Sequence, residues 1–267
     1  MTEATALLVR REGAVVRAVF NRPHRRNAMN AALVAQLDVL LDELEAASSA
    51  RILVLEGAGG YFCAGLDLGE VAEDERGSEA RLAAQVARNT LTGRRFARIA
   101  ALPQAVLARV RGGAFAGGLG FVCAADLALC DGSARFCAPE VRRGLVAAQI
   151  LPWLVRRMGL AQAQRLVLRG DVLDATAALA AGLVHEVLPD ETALDAALAA
   201  AIHDILCGAP GAVRETKALL AALGPVSPAG YAEAGAEAFA HCVTGEAVEG
   251  ITAFKGKRPP AWEPRQG

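Results

Sequence analysis

The sequence predicts an α/β layered protein, on three observations. Short apolar runs rich in Val, Ile or Leu end at turn-forming residues; amphipathic helical stretches separate them; and the second half reads mostly as helix. Ala14–Phe20 is the first predicted strand, closed by the turn-prone Asn21-Arg22-Pro23. A helix follows over Asn30–Ala47, with Leu33, Leu37, Leu40, Leu41 and Leu44 on one face and Asn30 as its N-cap. Arg51–Glu56 is the second strand, ended by Gly57, Gly59 and Gly60, and Glu79–Ala101 the second helix. Ala105–Val110 is the third strand, ended by Gly112 and Gly113. After Gly117-Gly118 come an apolar helix near Leu119–Ala125 and a strand over Leu127–Cys130. Strand and helix alternate, which calls for crossover connections.

From Leu151 onward the pattern is helical: Leu151–Met158, Ala161–Leu168, Thr176–Ala181, Thr192–Cys207, Ala212–Leu223 and Tyr231–Val243. Gly208-Ala209-Pro210 and Gly224-Pro225 are helix stops. A helical tail of this kind reads as a packing or assembly module. The proline-bearing Lys257–Gly267 reads as a frayed end.

Composition narrows the function. Of 267 residues, 54% are hydrophobic and 21% charged, which excludes a disordered chain. Lys and Arg total 28 against 29 Asp and Glu, so there is no basic excess for nucleic acid or anionic lipid. Aromatics are 4%, too few for base-stacking platforms. The uncharged apolar stretch Leu145–Val155 falls short of the roughly 20 residues of a membrane span. Met1–Arg11 has no apolar signal core, so a cytoplasmic location is expected. The cysteines Cys63, Cys123, Cys130, Cys137, Cys207 and Cys242 form no CxxC pair and read as buried, reduced thiols. His24, His185, His203 and His241 lack metal-ligand spacing, so no metal is expected. GxGxxG and GxxxxGK[ST] are both missing, against dinucleotide and P-loop folds.

Three segments carry the chemistry. They are Asn21-Arg22-Pro23-His24-Arg25-Arg26-Asn27-Ala28-Met29, Gly57-Ala58-Gly59-Gly60-Tyr61-Phe62-Cys63-Ala64-Gly65-Leu66-Asp67-Leu68, and Val110-Arg111-Gly112-Gly113-Ala114-Phe115-Ala116-Gly117-Gly118-Leu119-Gly120 through Ala125-Asp126-Leu127. In order, they resemble the NRP…NA, GxxFxAGxDL and GxAxGGG…CDL signatures of the enoyl-CoA hydratase/isomerase, or crotonase, family. Phe136-Cys137-Ala138-Pro139-Glu140 with Gly144-Leu145, and Ala181-Gly182-Leu183-Val184, resemble two further blocks, and the resemblance runs from about Val9 to Lys257.

The resemblance implies a crotonase-like spiral of ββα repeats over residues 1–200, carrying the acyl-CoA site, and a C-terminal helical oligomerisation segment over 201–267. It implies a homotrimer or a dimer of trimers. It also implies a coenzyme A thioester as substrate and no permanently bound cofactor. The N–H groups of Leu66 and Gly117 are its two oxyanion donors. Two such preorganised donors stabilise an enolate oxygen, each worth about 3–4 kcal/mol. Gly65 and Gly118 let the chain approach the ligand, and the helix after Gly117 favours an anion at its start. Glu140 is the carboxylate that moves the proton, and Phe136, Val141 and Leu145 would desolvate it toward neutral pKa.

The chain departs from the two-glutamate hydratases of the family, because Gly120 stands where they carry the second glutamate. Gly120 is expected to leave room for a substituent on C3. Three readings stay open. The first is a hydratase/lyase, with a block resembling the branch that handles branched or glutaconyl-type acyl-CoAs. The second is a Δ3-Δ2-enoyl-CoA isomerase using Glu140 alone. The third is a catalytically weak acyl-CoA-binding protein. For coenzyme A the resemblance points to Ala28, Ala64, Gly65, Asp67, Leu68 and Gly118, with Arg25 and Arg26 replacing the lysine that the family often carries at Gly69. Lys257, in Phe254-Lys255-Gly256-Lys257-Arg258, is the candidate to reach coenzyme A on a neighbouring subunit. Cys63 and Cys137 read as packing, and Arg142 and Arg143 as helix-surface arginines.

Overall fold

A computed structural model describes residues 5–46, 49–67, 69, 78–222 and 232–260. A six-stranded sheet runs β1-β2-β3-β4-β6-β9, formed by β1 (Leu7–Glu12), β2 (Val15–Phe20), β3 (Ile52–Gly57), β4 (Ala105–Val110), β6 (Leu127–Asp131) and β9 (Glu186–Leu188). β1 pairs antiparallel with β2, and the remaining neighbours are parallel. A small sheet, β5-β7-β8, holds β5 (Gly113–Phe115), β7 (Arg135–Cys137) and β8 (Val172–Asp174).

Both faces of the large sheet are covered, which is why β3 and β4 each open with four consecutive apolar residues, 52–55 and 105–108. One face packs on α1 (Ala31–Glu45), α2 (Ser78–Ala101), α3 (Gly117–Ala124) and α4 (Leu151–Arg169), through Leu33, Leu37, Phe96, Phe121 and Leu154. On the other face Val15, Ile52, Val54 and Leu107 meet Leu198 of α6 (Glu191–Cys207). α5 (Ala175–Ala180) leads into β9. α7 (Pro210–Ala222), α8 (Ala232–Thr244) and α9 (Glu246–Lys255) follow.

The repeat is visible in the pairing. After leaving the large sheet, the chain pairs again in a second layer, by parallel bridges Met29↔Leu66 and Cys63↔Ala114 and then by β5 with β7. Each turn of the spiral thus lays a short segment beside the previous one.

The predicted elements are present, with ends shifted by a few residues. Asn30 caps α1, its side chain accepting from the Leu33 N–H at 3.0 Å. Pro210, expected as a helix stop, occupies the first turn of α7, where its missing N–H costs nothing. Leu151–Met158 and Ala161–Leu168 form one helix broken at Gly159, whose φ is +76°. β1, β5, β7, β8 and α9 have no counterpart among the predicted elements, whereas β9 follows the helix-to-strand corner that Ala181-Gly182-Leu183-Val184 resembles. β1 is a charged edge strand, and β5, β7, β8 and β9 span three residues each, too few for periodicity to register. Of the cysteines described, Cys63, Cys123, Cys130 and Cys137 are buried and free, whereas Cys207 is exposed, contrary to expectation. Among the described residues no single helix is long and apolar enough to cross a membrane.

Candidate active site

The second layer brings the candidate oxyanion donors together. The Met29 N–H donates to Gly65 O at 2.7 Å, and the Asp67 N–H to Met29 O at 2.9 Å. Those bonds hold Leu66 between them and leave its own N–H without an acceptor among the described residues. Cys63 is fixed to β5 by Cys63 N–H to Gly113 O and Phe115 N–H to Cys63 O, at 3.0 and 2.9 Å. The 63–66 segment therefore runs beside 114–117. Gly65 has φ +91°, and a Cβ there would lie 2.7 Å from the Ala116 Cβ and 3.2 Å from the Gly117 nitrogen. Gly117 opens α3, and its N–H too has no acceptor among the described residues. Gly118 packs so closely on Cys63 O that any side chain would collide. Ala116, the N-cap of α3, is held at φ +50° and ψ −122°, a conformation that an L side chain resists.

Glu140 comes from the neighbouring strand. The Ala116 N–H donates to Cys137 O at 2.9 Å, and Phe115 is in register with Cys137. Gly117 lies two residues beyond this pair and Glu140 three, so both leave the same end of the small sheet. Pro139 precedes a 3₁₀ turn over Glu140–Arg143, and the Glu140 carbonyl accepts the Leu145 N–H at 3.0 Å. The Glu140 side chain is buried, and its Oε2 has no hydrogen-bond partner among the described residues. Burial pushes its pKa up to about 7 against weaker opposing pulls from a backbone N–H hydrogen bond and from Arg143. A buried carboxyl with one oxygen unpaired and this pKa can hold or release a proton near neutrality.

The last two helices roof this region. Phe239 and Val243 of α8, with Ala247 and Ile251 of α9, pack on Leu145 and Ala148, and Leu66 and Val146 join the cluster. α9 crosses the Glu140 turn at Gly250, where a Cβ would lie 2.9 Å from the Arg143 Cα and closer still to its carbonyl. The Arg143 guanidinium stacks on the Phe254 ring at 4.5 Å. The Arg142 Nε donates to Arg169 O at 2.9 Å.

Of the expected coenzyme residues, Ala28, Ala64, Gly65, Asp67 and Gly118 gather around the paired segments. The Ala64 N–H donates to Arg26 O at 3.0 Å. The first motif is tied to the second by Arg22, which sequence reasoning missed. Its guanidinium donates to Ala28 O at 2.5 Å and to Asp67 Oδ2 at 3.0 Å. Asp67 also accepts the Gly69 N–H, so its carboxylate is engaged within the protein. Arg25 is exposed, and Arg26 extends over the Tyr61 ring at 5.8 Å. Lys257 stands apart, exposed at the end of α9. Leu68 lies outside the described residues.

One expectation is overturned. Gly120 does not leave open space for a substituent. The Phe96 ring fills it, with Cε1 2.7 Å from where a Cβ would stand. Phe96 is fully buried and packs edge-on against Phe121, ring centroids 5.2 Å apart. Burial raises the Cys63 thiol to about 12 and Cys137 to about 11, so both stay protonated, consistent with packing roles.

A cavity of about 630 Å³ lies elsewhere, at the C-terminal end of α3, lined by Asp126, Trp153, Arg157, His185 and Lys217. Three of its charged groups, Asp126, Arg157 and Lys217, are engaged, and Arg156 is exposed. Lys217 pairs with Asp126 at 2.7 Å, and Arg157 donates to the Cys123 and Ala125 carbonyls that end α3.

Residues 10–265 match the enoyl-CoA hydratase/isomerase family. The 2,3-dehydroadipyl-CoA hydratase of Escherichia coli K12 is 33% identical over 264 residues, covering 97% of this chain and 99% of that protein. The crystal structure of an enoyl-CoA hydratase/isomerase from Marinobacter aquaeolei is 37% identical, covers 97% of this chain and 99% of its own, and superposes with a TM-score of 0.77. An enoyl-CoA hydratase from Mycobacterium avium, 31% identical over 97% of this chain and 100% of its own, gives 0.84. With the layered ββα spiral and the motif order, these likenesses establish that the chain belongs to the enoyl-CoA hydratase/isomerase family and has the crotonase fold.

Proposed function

We propose that the chain catalyses the reversible addition of water to an α,β-unsaturated acyl-CoA. The observation that carries this is Glu140, a buried carboxyl whose Oε2 is unpaired and whose pKa is raised to about 7. It shares one end of the small sheet with two N–H groups that have no acceptor among the described residues. In the hydration direction Glu140 takes a proton from water as the water oxygen bonds to C3. The C2=C3 electron pair moves through C2 and C1 onto the thioester oxygen, which the Leu66 and Gly117 N–H groups stabilise as an enolate. The carbonyl re-forms as C2 takes the proton from Glu140. One carboxyl thus serves as base and then acid.

A second reading rests on Phe96. Its ring occupies the site of a second carboxylate, and a single carboxyl can instead carry a proton from C4 to C2, giving isomerisation. The coenzyme is assigned to Arg25, Arg26, Ala28, Ala64, Gly65, Asp67, Leu68 and Gly118. Lys257 is assigned to a neighbour's coenzyme in a homotrimer or dimer of trimers built through residues 201–267. The exposed Leu219 and Leu220 of α7 favour such association.

A mass-spectrometric screen of acyl-CoAs tests the proposal. Gain of water by a 2-enoyl-CoA, or its loss from a 3-hydroxyacyl-CoA, is expected. Conversion of 3-enoyl- to 2-enoyl-CoA without hydration selects isomerisation, and binding without turnover of any thioester contradicts both.

A further inference from the structure

α2 turns an unusual face to the site. Arg81, Gln85, Asn89 and Phe96 recur at spacings of four, four and seven, one stripe of a helix of 3.6 residues per turn. Phe96, at one end, seals Gly120, three residues beyond the Gly117 donor. Away from it the stripe becomes polar while staying buried. Asn89 is 5% exposed, and its Oδ1 accepts the Gln149 Nε2–H at 2.9 Å, Gln149 also being 5% exposed. Gln149 follows Ala148, which packs with Leu145 and Leu66 in the apolar cluster beside Glu140. One turn farther, Gln85 is 1% exposed, and neither its Nε2 nor its Oε1 has a hydrogen-bond partner among the described residues. One turn beyond that is Arg81, whose Nε is buried without a partner and which forms no ion pair among the described residues.

A buried amide with both ends unpaired is costly and rare in a folded protein. A leucine or methionine would fill the same volume without that cost, so the polarity calls for an occupant absent from the free protein. Gln85 offers a donor at Nε2 and an acceptor at Oε1, and Arg81, one turn away, offers further donors and a positive charge, so the occupant must supply acceptors to Nε2 and to Arg81 while Oε1 is left to water. Asn89 and Arg81 are eight residues apart, about 12 Å along the helix, so the row can follow an extended chain leading away from the thioester.

We propose that the acyl end of the site takes a chain terminating in a carboxylate, received by the amide of Gln85 and the guanidinium of Arg81, with the Asn89–Gln149 pair along its path. This rests on the acyl-CoA reading above and narrows its substrate class to CoA thioesters of dicarboxylic acids. The carboxylate accepts from Gln85 Nε2 and Arg81. An unfunctionalised chain leaves both unpaired and is rejected accordingly.

Calorimetric binding with unreactive saturated thioesters separates this from the reading it rests on. The full-length protein is expected to bind adipyl-CoA at least about 10-fold tighter than hexanoyl-CoA, because the unfunctionalised chain leaves buried polar groups unpaired. Gln85→Met and Arg81→Met are each expected to bring that ratio toward one. Gln85→Met is also expected to raise Tm, which shows that it folds and that the amide is held for a ligand rather than for stability. Equal or tighter binding of hexanoyl-CoA by the unmodified protein, or a ratio unmoved by both substitutions, overturns the proposal alone. Equal affinity for 6-hydroxyhexanoyl-CoA and adipyl-CoA overturns the assignment to a carboxylate. Binding of no thioester and no free coenzyme A overturns both this inference and the acyl-CoA reading.

Discussion

The phenyl ring of Phe96 stands where a side chain on Gly120 would have to go, with its Cε1 2.7 Å from the position of an added Cβ. Residues on two different helices thus decide together how many carboxylates the site can hold. Phe96 is fully buried among Phe121 and its neighbours and cannot swing away freely. Gly120→Ala is therefore expected to destabilise the fold by about 1–3 kcal/mol, the cost of overpacking a core. Phe96→Leu in the same chain should recover part of it. Denaturant midpoints of the two variants and the double variant measure the coupling.

Ala116 is a residue in a conformation made for glycine, φ +50° and ψ −122°, at the N-cap of the helix that presents Gly117. Ala116→Gly is expected to raise stability by about 1 kcal/mol by relieving that strain. Thermal unfolding checks it, and a lower Tm would mean that the alanine is at ease there.

Gly250 lets α9 lie directly on the turn that carries Glu140. Gly250→Ala forces a methyl group against the Arg143 backbone. A displaced turn misplaces Glu140, and misplacement by an ångström costs about 100-fold in rate. The variant is expected to fold with lowered Tm and to lose about 10- to 100-fold in kcat/KM. Enzyme kinetics beside thermal melts separate the two effects.

Part of this site was legible in the sequence and part was not. Residues 66, 117 and 140 sit in short motifs whose glycines, proline and carboxylate are local signals, and β2, β3 and β4 are mostly apolar on both sides because both faces of the sheet are covered. Asn30 was readable as a cap from its chemistry alone. Phe96 was invisible as a partner of Gly120, because nothing local to either residue encodes the approach of α2 to α3. Arg22 joins the first motif to Asp67 across 45 residues and gave no signal for the same reason. The roof of α8 and α9 over Leu145 and Ala148 depends on how the chain returns, which periodicity does not record.

Burying Glu140 costs stability in a pH-dependent way. The folded pKa of about 7 lies above the ordinary value of 4.5, so the folded state binds the proton more tightly. Stability from this group is complete below pH 4.5, falls as pH rises toward 7, and is lost above it. The difference is about 3 kcal/mol by 1.36 kcal/mol per pH unit. Between pH 4.5 and pH 8 the unmodified protein should therefore lose that much stability relative to Glu140→Gln. Urea unfolding of both at the two pH values gives the difference, and parallel curves would contradict a buried, raised carboxyl.

The most direct test is the turnover of a 2-enoyl-CoA by Glu140→Gln, measured beside its affinity for an unreactive saturated acyl-CoA. If one carboxyl moves the proton while backbone amides of residues 66 and 117 hold the oxygen, kcat falls by at least about 100-fold, the span of general acid–base catalysis, while the thioester still binds. Turnover retained at the unmodified rate would contradict that account.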